Sequence, residues 1–125
     1  MEALESDRLI MRNYRKSDLD EYHKMLSDRE NMYFIIPFGI ITSTIKESQA
    51  SLNNAIEINA KGTSRRYCIA LKESDKLIGA VGYEIAAETP VGKIADPMGW
   101  FLMPNYQNKG YMTEAVKRVL AFAFL

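Results

Sequence analysis

The sequence has little of several residue types, and each shortage excludes a class of function. Its 125 residues include one cysteine, Cys68, and one histidine, His23. A single cysteine excludes an intrachain disulfide, so a reducing compartment and a cytoplasmic location are expected. A zinc site of the usual kind needs several cysteines and histidines, so we expect no bound metal.

Net charge and long apolar runs are also lacking. The 16 basic and 16 acidic residues cancel to a formal net charge of zero. No basic patch points to nucleic acid or to an anionic membrane surface, so neither is an expected partner. No apolar run is long enough to span a bilayer, and the acidic start "MEALESDRLIMR" does not have the pattern of a signal peptide. With 47% hydrophobic and 26% charged residues, the composition is typical of a globular protein, taken as one domain over residues 1–125.

The first half of the chain shows one strand pattern followed by two helical patterns. "RLIMRNY" alternates weakly and predicts a first strand. "SDLDEYHKMLSD" places apolar residues on one helical face and begins with Ser17 and Asp20 at capping-box spacing. A second helix is expected from near Thr44, with Glu47 as its capping partner, to Gly62. The sequence therefore predicts two helices before most of the sheet.

Strand patterns dominate the second half. "RYCIALKESDKLIGAVGYEI" predicts two strands joined by a turn at "ESDK". A third strand is expected over Lys93–Met103, interrupted at Pro97, which has no N–H to donate. A helical pattern follows Gly110. The predicted order is strand, helix, helix, three strands and helix, an α+β fold with helices packed on a mostly antiparallel sheet.

The loop before the last helix, "QNKGYMT", has features of an anion-binding site. A helix N-terminus offers unpaired N–H groups and the positive end of the helix dipole, and both favour phosphate. Gly110 would let a ligand approach the backbone, and Lys109 adds positive charge. Gln107 and Asn108 are small polar groups that can tie down the loop. One glycine before a helix is also a common connector, and the Walker A and dinucleotide-binding motifs are absent.

These segments together resemble the GNAT superfamily of acetyl-CoA-dependent N-acetyltransferases, especially its RimJ/RimL-like branch. The acetyl-CoA loop of that family is written Q/R-x-x-G-x-G/A, and here it reads "QNKGYM", with Met112 where Gly or Ala is usual. The segments "TEAVK", "LESDRLIMRNYRKSDLDEYHKMLSD", "KLIGAVGYEI" and "MGWFLMPNYQNKGY" are similar to further motifs of the branch. The resemblance therefore runs over essentially the whole chain.

The resemblance implies that an amine attacks the thioester of acetyl-CoA directly, without a metal. The acceptor would be a primary amine, on a protein N-terminus or on a small molecule. The last strand, with an expected bulge, would pair with pantetheine, and the backbone amides from about Lys109 to Thr113 would hold the pyrophosphate. The cofactor-binding residues implied in this way are Trp100, Phe101, Leu102, Met103, Gln107, Asn108, Lys109, Gly110, Tyr111, Met112 and Thr113.

Two carboxylates are candidate catalytic bases. Many members of the family have an acidic residue just before the glycine of the last strand, where this sequence has Pro97, and Asp96 is adjacent to it. Glu84, on the preceding strand, is the other candidate. His23 and Cys68 are interpreted as packing residues.

The end of the sequence leads to a further expectation. In the family, another strand, a helix and further strands follow the last helix, whereas this sequence ends at Leu125 on the apolar "VLAFAFL". We therefore expect an incomplete acetyltransferase-like domain that forms a homo-oligomer through its exposed C-terminal helix and sheet edge. Two alternatives stay open: a non-catalytic or truncated module of this fold that acts through CoA binding or self-association, and a small α+β interaction domain without a cofactor.

Overall fold

Seven strands and three helices make up the regular structure in the part of the chain that the computed structural model describes, residues 2–28, 44–62, 64–84, 88–89, 92–93 and 99–124. The strands are β1 Leu4–Glu5, β2 Leu9–Arg12, β3 Ser64–Leu71, β4 Leu77–Glu84, β5 Glu88–Thr89, β6 Gly92–Lys93 and β7 Gly99–Leu102. The helices are α1 Leu19–Leu26, α2 Ile45–Lys61 and α3 Tyr111–Phe124. Short 3-10 turns at Lys16–Asp18 and Pro104–Tyr106 precede α1 and α3.

The strands form a main sheet and a small separate one. The main sheet has the order β1-β2-β3-β4-β7, and each neighbouring pair is antiparallel. Among the described strands, β5 and β6 pair with each other and with no third strand. The α+β fold with a mostly antiparallel sheet is therefore confirmed, and β1 is a strand that the alternation pattern did not predict.

Helix α2 begins and ends as the sequence predicts. The Oγ1 of Thr44 accepts a hydrogen bond from the N–H of Glu47 at 3.1 Å, and the carboxylate of Glu47 accepts from the N–H of Thr44 at 3.2 Å. Gly62 ends the helix with a φ of 67°. Glycine adopts this left-handed conformation without a steric penalty, so the helix ends where its sequence allows the chain to turn.

The predicted capping box of α1 is wrong. Ser17 lies inside the 3-10 turn, and neither it nor Asp20 caps the helix. Asp18 instead accepts a hydrogen bond from the N–H of Arg15 at 2.8 Å and binds the guanidinium of Arg12. The reason is that the buried charge of Arg12 needs a carboxylate partner, which makes Asp18 the residue that organises this turn.

The single strand predicted over Lys93–Met103 is also wrong. Lys93 belongs to β6 and pairs with Glu88, whereas Gly99 belongs to β7 and pairs with Gly82 of β4. The two ends of the predicted strand therefore lie in different sheets, because Lys93 finds a partner nearby in sequence, at a small cost in loop entropy. Asp96, Pro97 and the predicted break in pairing lie outside the described residues.

The core has two parts, one on each face of the main sheet. Helix α3 covers one face, where Ala115 and Val119 are fully buried against strand residues. Helices α1 and α2 cover the other face through a group of buried residues: Tyr22, Met25, Leu26 and Leu52. Side chains alternate between the two faces of a strand, and β3, β4 and β7 contribute buried residues to both parts. Among the described helices, none has the length and apolarity that crossing a membrane requires.

Candidate functional site

The candidate site lies where β7 leads into α3. The N–H of Met103 donates to the carbonyl of Ile78 at 2.8 Å, which extends the pairing with β4 by one residue. After the 3-10 turn, the side-chain amide of Gln107 donates to the carbonyl of Leu102 at 2.9 Å. This contact ties the loop back to the end of β7.

Two residues of the loop have left-handed backbone conformations. The φ angles are 61° at Asn108 and 80° at Gly110. The first hydrogen bond of α3 runs from the N–H of Glu114 to the carbonyl of Gly110 at 3.1 Å. The N–H groups of residues 110–113 therefore precede the hydrogen-bond ladder of the helix, as the first four do in any α-helix. Because Gly110 has no side chain and is exposed, it places no Cβ over this end of the helix.

The side chain of Met112 points into the protein. It is partly buried and packs against the core under α3. The departure from the small residue that is usual here therefore leaves the backbone N–H groups uncovered. Thr113 is exposed, whereas Tyr111 is half-buried with its ring 6.3 Å from that of Tyr106.

Strand β7 buries two of its side chains and exposes one. Phe101 and Leu102 are each 7% exposed and belong to the core on opposite faces of the sheet. Trp100 is 53% exposed. Since β7 is the last of the described strands in the sheet order, part of its N–H and C=O groups points away from β4, where an extended ligand can pair with them. Over Gly99–Leu102 the register with β4 is regular, so no bulge lies within these four residues.

Gly79 allows β4 and β7 to come close together. A Cβ placed on Gly79 would clash with the carbonyl oxygen of Phe101, which is a backbone atom and cannot turn aside. The "LIG" segment of β4 therefore needs its glycine for the approach of the strand that leads into the loop.

A cluster of polar contacts joins the start of the chain to the loop. The Nε of Arg8 donates to Glu114 at 2.8 Å, and its Nη1 donates to the carbonyl of Lys109 at 3.1 Å. The hydroxyl of Ser6 donates to Glu114 at 2.5 Å. Burial by itself would raise the pKa of Glu114, but these hydrogen bonds outweigh it, and its pKa lies below the usual value. The sequence analysis did not predict that Arg8 and Glu114 form an ion pair. Arg8 lies in the segment "LESDRLIMRNYRKSDLDEYHKMLSD" and Glu114 in "TEAVK", both of which resemble motifs of the branch.

Of the two candidate bases, the structure describes only Glu84, which lies away from the loop along β4. Glu84 is the last residue of β4 and pairs with Ser64. Gly79 of β4 pairs with Leu102, next to the loop. Glu84 lies five residues further along β4, so the distance between the Cα atoms of Gly79 and Glu84 is about 17 Å. The other candidate, Asp96, lies outside the described residues, and the assignment of either residue stays a prediction.

The packing interpretations of the remaining candidates agree with the structure. Cys68 is fully buried, and burial raises its pKa to about 12, so its thiol is not a nucleophile at neutral pH. The Nδ1 of His23 lies 2.7 Å from the hydroxyl of Ser48, which joins α1 to α2. No group of metal-ligating side chains is found among the described residues.

A family model described as an acetyltransferase (GNAT) domain matches residues 8–125. The chain is 30% identical over 117 residues to the uncharacterized N-acetyltransferase YnaD of Bacillus subtilis, with 94% of this chain and 62% of that protein covered. It is 28% identical over 127 residues to the uncharacterized N-acetyltransferase p20 of Bacillus licheniformis, with 99% and 67% covered.

Solved structures show the same fold. An acetyltransferase of the GNAT family from Bacillus anthracis superimposes with a TM-score of 0.74 at 23% identity, covering 98% of this chain and 66% of that one. RimL, a ribosomal L7/L12 alpha-N-protein acetyltransferase in complex with coenzyme A, gives a TM-score of 0.74 at 17% identity, covering 97% and 67%. The chain thus spans about two thirds of the proteins that it resembles.

Proposed function

Because the chain belongs to the GNAT acetyltransferase family, we propose that it binds acetyl-CoA and transfers the acetyl group to a primary amine. The observation that best supports this is the set of N–H groups that precede the hydrogen-bond ladder of α3. They follow a glycine with a positive φ and lie directly after an edge strand. In this proposal the N–H groups of residues 110–113 bind the pyrophosphate, and the exposed Lys109 adds positive charge.

The rest of the cofactor would lie along β7. Pantetheine is an extended chain with amide groups, so within the stretch Trp100–Met103 it can pair with the backbone groups that face away from β4, those of Trp100 and Leu102, as a further strand would. The buried side chains of Phe101 and Leu102 hold this backbone in place from both faces of the sheet. Gln107 and Asn108 shape the loop between the two parts of the cofactor site.

A matched pair of glycine substitutions tests the cofactor proposal. Gly110→Asp adds a negative charge at the N-terminus of α3, with its Cβ 3.4 Å from the Nη2 of Arg8, so calorimetry should detect no binding of CoA or acetyl-CoA. Gly62→Asp is the control, because Gly62 is also exposed, has a φ of 67° and ends α2 instead. Both changes put the same backbone strain on the chain, but only Gly110→Asp repels phosphate. Equal CoA affinity in the two variants would refute the phosphate model.

The reaction needs few groups from the protein. The amine nitrogen bonds to the thioester carbon, the C–S bond breaks, the amine proton passes to a base, and the thiolate takes up a proton. We propose Glu84 or Asp96 as the base. Glu84→Gln or Asp96→Asn should lower kcat by a hundredfold or more without weakening CoA binding. If both variants retain wild-type kcat, neither carboxylate is the base.

The acceptor is proposed as either a protein N-terminus or a small amine. The first class is supported by the similarity in fold to RimL, which is described as an alpha-N-protein acetyltransferase. Release of the CoA thiol, measured with short peptides and with small amines, distinguishes the two classes. Binding of acetyl-CoA without thiol release for any acceptor would favour the alternative of a CoA-binding module.

We also propose that the chain self-associates through β7 and α3. Trp100 on the edge strand is 53% exposed and Leu120 on α3 is 38% exposed, and exposed apolar side chains favour association between chains while the backbone of β7 is left to pantetheine. Sedimentation velocity at micromolar concentration should show an oligomer, and Trp100→Ser should dissociate it. Ile45→Ser is the control, because Ile45 is 48% exposed on α2. A monomeric wild-type protein would refute this.

A further inference from the structure

The segment between β1 and β2 contacts three successive parts of the loop and helix. The guanidinium of Arg8 binds the carbonyl of Lys109 at 3.1 Å and the carboxylate of Glu114 at 2.8 Å. Its central carbon lies 4.2 Å from the centroid of the Tyr111 ring. One side chain, 45% exposed, therefore holds the loop, the first residue of α3 and the end of the first turn.

The contact with Lys109 determines the direction of a neighbouring N–H group. A peptide group is planar and trans, so its C=O and N–H point in opposite directions. Holding the carbonyl of Lys109 toward Arg8 therefore directs the N–H of Gly110 away from it. This N–H is the first of the four that precede the hydrogen-bond ladder of α3. Without Arg8, this peptide group would be free to turn, because Gly110 imposes little restraint on its own backbone.

The contact with Glu114 removes an electrostatic obstacle. A carboxylate at the end of the first helical turn repels a phosphate bound at the same helix N-terminus. Glu114 is turned toward the segment between β1 and β2, where it accepts hydrogen bonds from the hydroxyl of Ser6 at 2.5 Å and from the backbone N–H of Arg8 at 2.9 Å. The positive charge of Arg8 offsets the negative charge of Glu114, so the helix terminus keeps its affinity for anions.

We infer that Arg8 is a positioning residue for the phosphate-binding loop, which it prepares by fixing the Lys109–Gly110 peptide group and by neutralising Glu114. The inference rests on the proposed function and adds to it a residue that lies about one hundred positions away in the sequence. Arginine is needed because its planar fork binds two acceptors at once, whereas lysine offers a single charged point.

The test uses Arg8→Ala, Arg8→Lys and the control Arg118→Ala. Arg118 also joins α3 to the start of the chain, through the carbonyl of Glu5 at 2.9 Å, but it lies about two helical turns beyond Tyr111, the first residue of α3. The first measurement is the backbone order parameter of Lys109 and Gly110, by 15N relaxation of the ligand-free protein. It should fall from about 0.85 to below about 0.6 in both Arg8 variants and stay unchanged in Arg118→Ala.

The second measurement is the Kd for CoA. Arg8→Ala should raise it roughly tenfold, and Arg8→Lys should recover only part of this because it restores the charge but not the fork. Unchanged loop order in Arg8→Ala would overturn the inference, whatever the CoA affinity. Equal losses of CoA affinity in Arg8→Ala and Arg118→Ala would also overturn the inference. They would show that CoA binding depends on the packing of α3 against the start of the chain and not on the contacts of Arg8 with the loop. Failure of the wild type to bind CoA would instead reject the proposed function, and the order parameters would still decide whether Arg8 fixes the loop.

Discussion

Loss of the Asp18 carboxylate should destabilise this protein more than loss of its neighbour Asp75. Arg12 is 3% exposed and makes two hydrogen bonds to the carboxylate of Asp18, at 2.8 and 2.9 Å, and one to the carboxylate of Asp75 at 2.8 Å, besides one to the backbone carbonyl of Asp75 at 3.1 Å. Asp18 is 6% exposed, whereas the side chain of Asp75 is 43% exposed. Asp18→Ala would leave the guanidinium buried with only half of its ionic partners, and water cannot easily replace the lost one.

The magnitudes of the two losses follow from burial. Removing one partner of a buried ion pair costs about 3–5 kcal/mol, whereas an exposed partner contributes about 1 kcal/mol or less. In a chain of this length, 1 kcal/mol shifts Tm by about 4 °C. We therefore expect Asp18→Ala to lower Tm by roughly 12–20 °C and Asp75→Ala by about 4 °C or less.

Thermal and urea unfolding, followed by circular dichroism, measure both losses. The double variant Arg12→Met/Asp18→Leu serves as the control, because apolar residues of similar size leave no charge in the core. It should be closer to wild type than Asp18→Ala is. The reasoning is refuted if Asp18→Ala is no worse than Asp75→Ala, or if the double variant is no better than Asp18→Ala.

Three further perturbations test other parts of the structure. The pKa of Glu114 is lowered from its usual value of 4.5, so its contacts stabilise the folded state above that pH and are lost as pH falls through the lowered pKa. The Tm difference between wild type and Glu114→Gln should therefore be largest near neutral pH and shrink below pH 4.5, and a constant difference would contradict this. Gly79→Ala should lower the free energy of unfolding in urea by about 2 kcal/mol or more, because β7 has to move away; a Tm equal to that of wild type would show that the strands adjust freely. Cys68 should resist alkylation at pH 8 in the folded protein and react in urea, whereas rapid labelling of the folded protein would contradict its burial.

The helix ends and the strand order show how far the sequence alone could lead. The ends of α2 were predictable because Thr44, Glu47 and Gly62 act on their own backbone within a few residues. The start of α1 was not predictable, because Asp18 binds the guanidinium of Arg12. That Arg12 is buried and needs such a partner is seen only in the folded chain. Similarly, the split between β6 and β7 depends on which partner each strand finds, and an alternation pattern does not contain that information.

The same distinction applies to the candidate site. Gly110 could be predicted because a positive φ and an open backbone are properties of one residue in one loop. The contacts of Arg8 could not be predicted from the sequence. The loop and Arg8 are brought together by the pairing of neighbouring strands from β2 through β3 and β4 to β7, and by the packing of α3 across the sheet. The antiparallel order places the start of β2 beside the N-terminus of α3. Arg8, which precedes β2, therefore contacts the loop as directly as a residue of the loop would. Residues that tune such a site therefore have to be sought in the strands that the helix crosses and in the turns between them, as well as in the motif that binds the ligand.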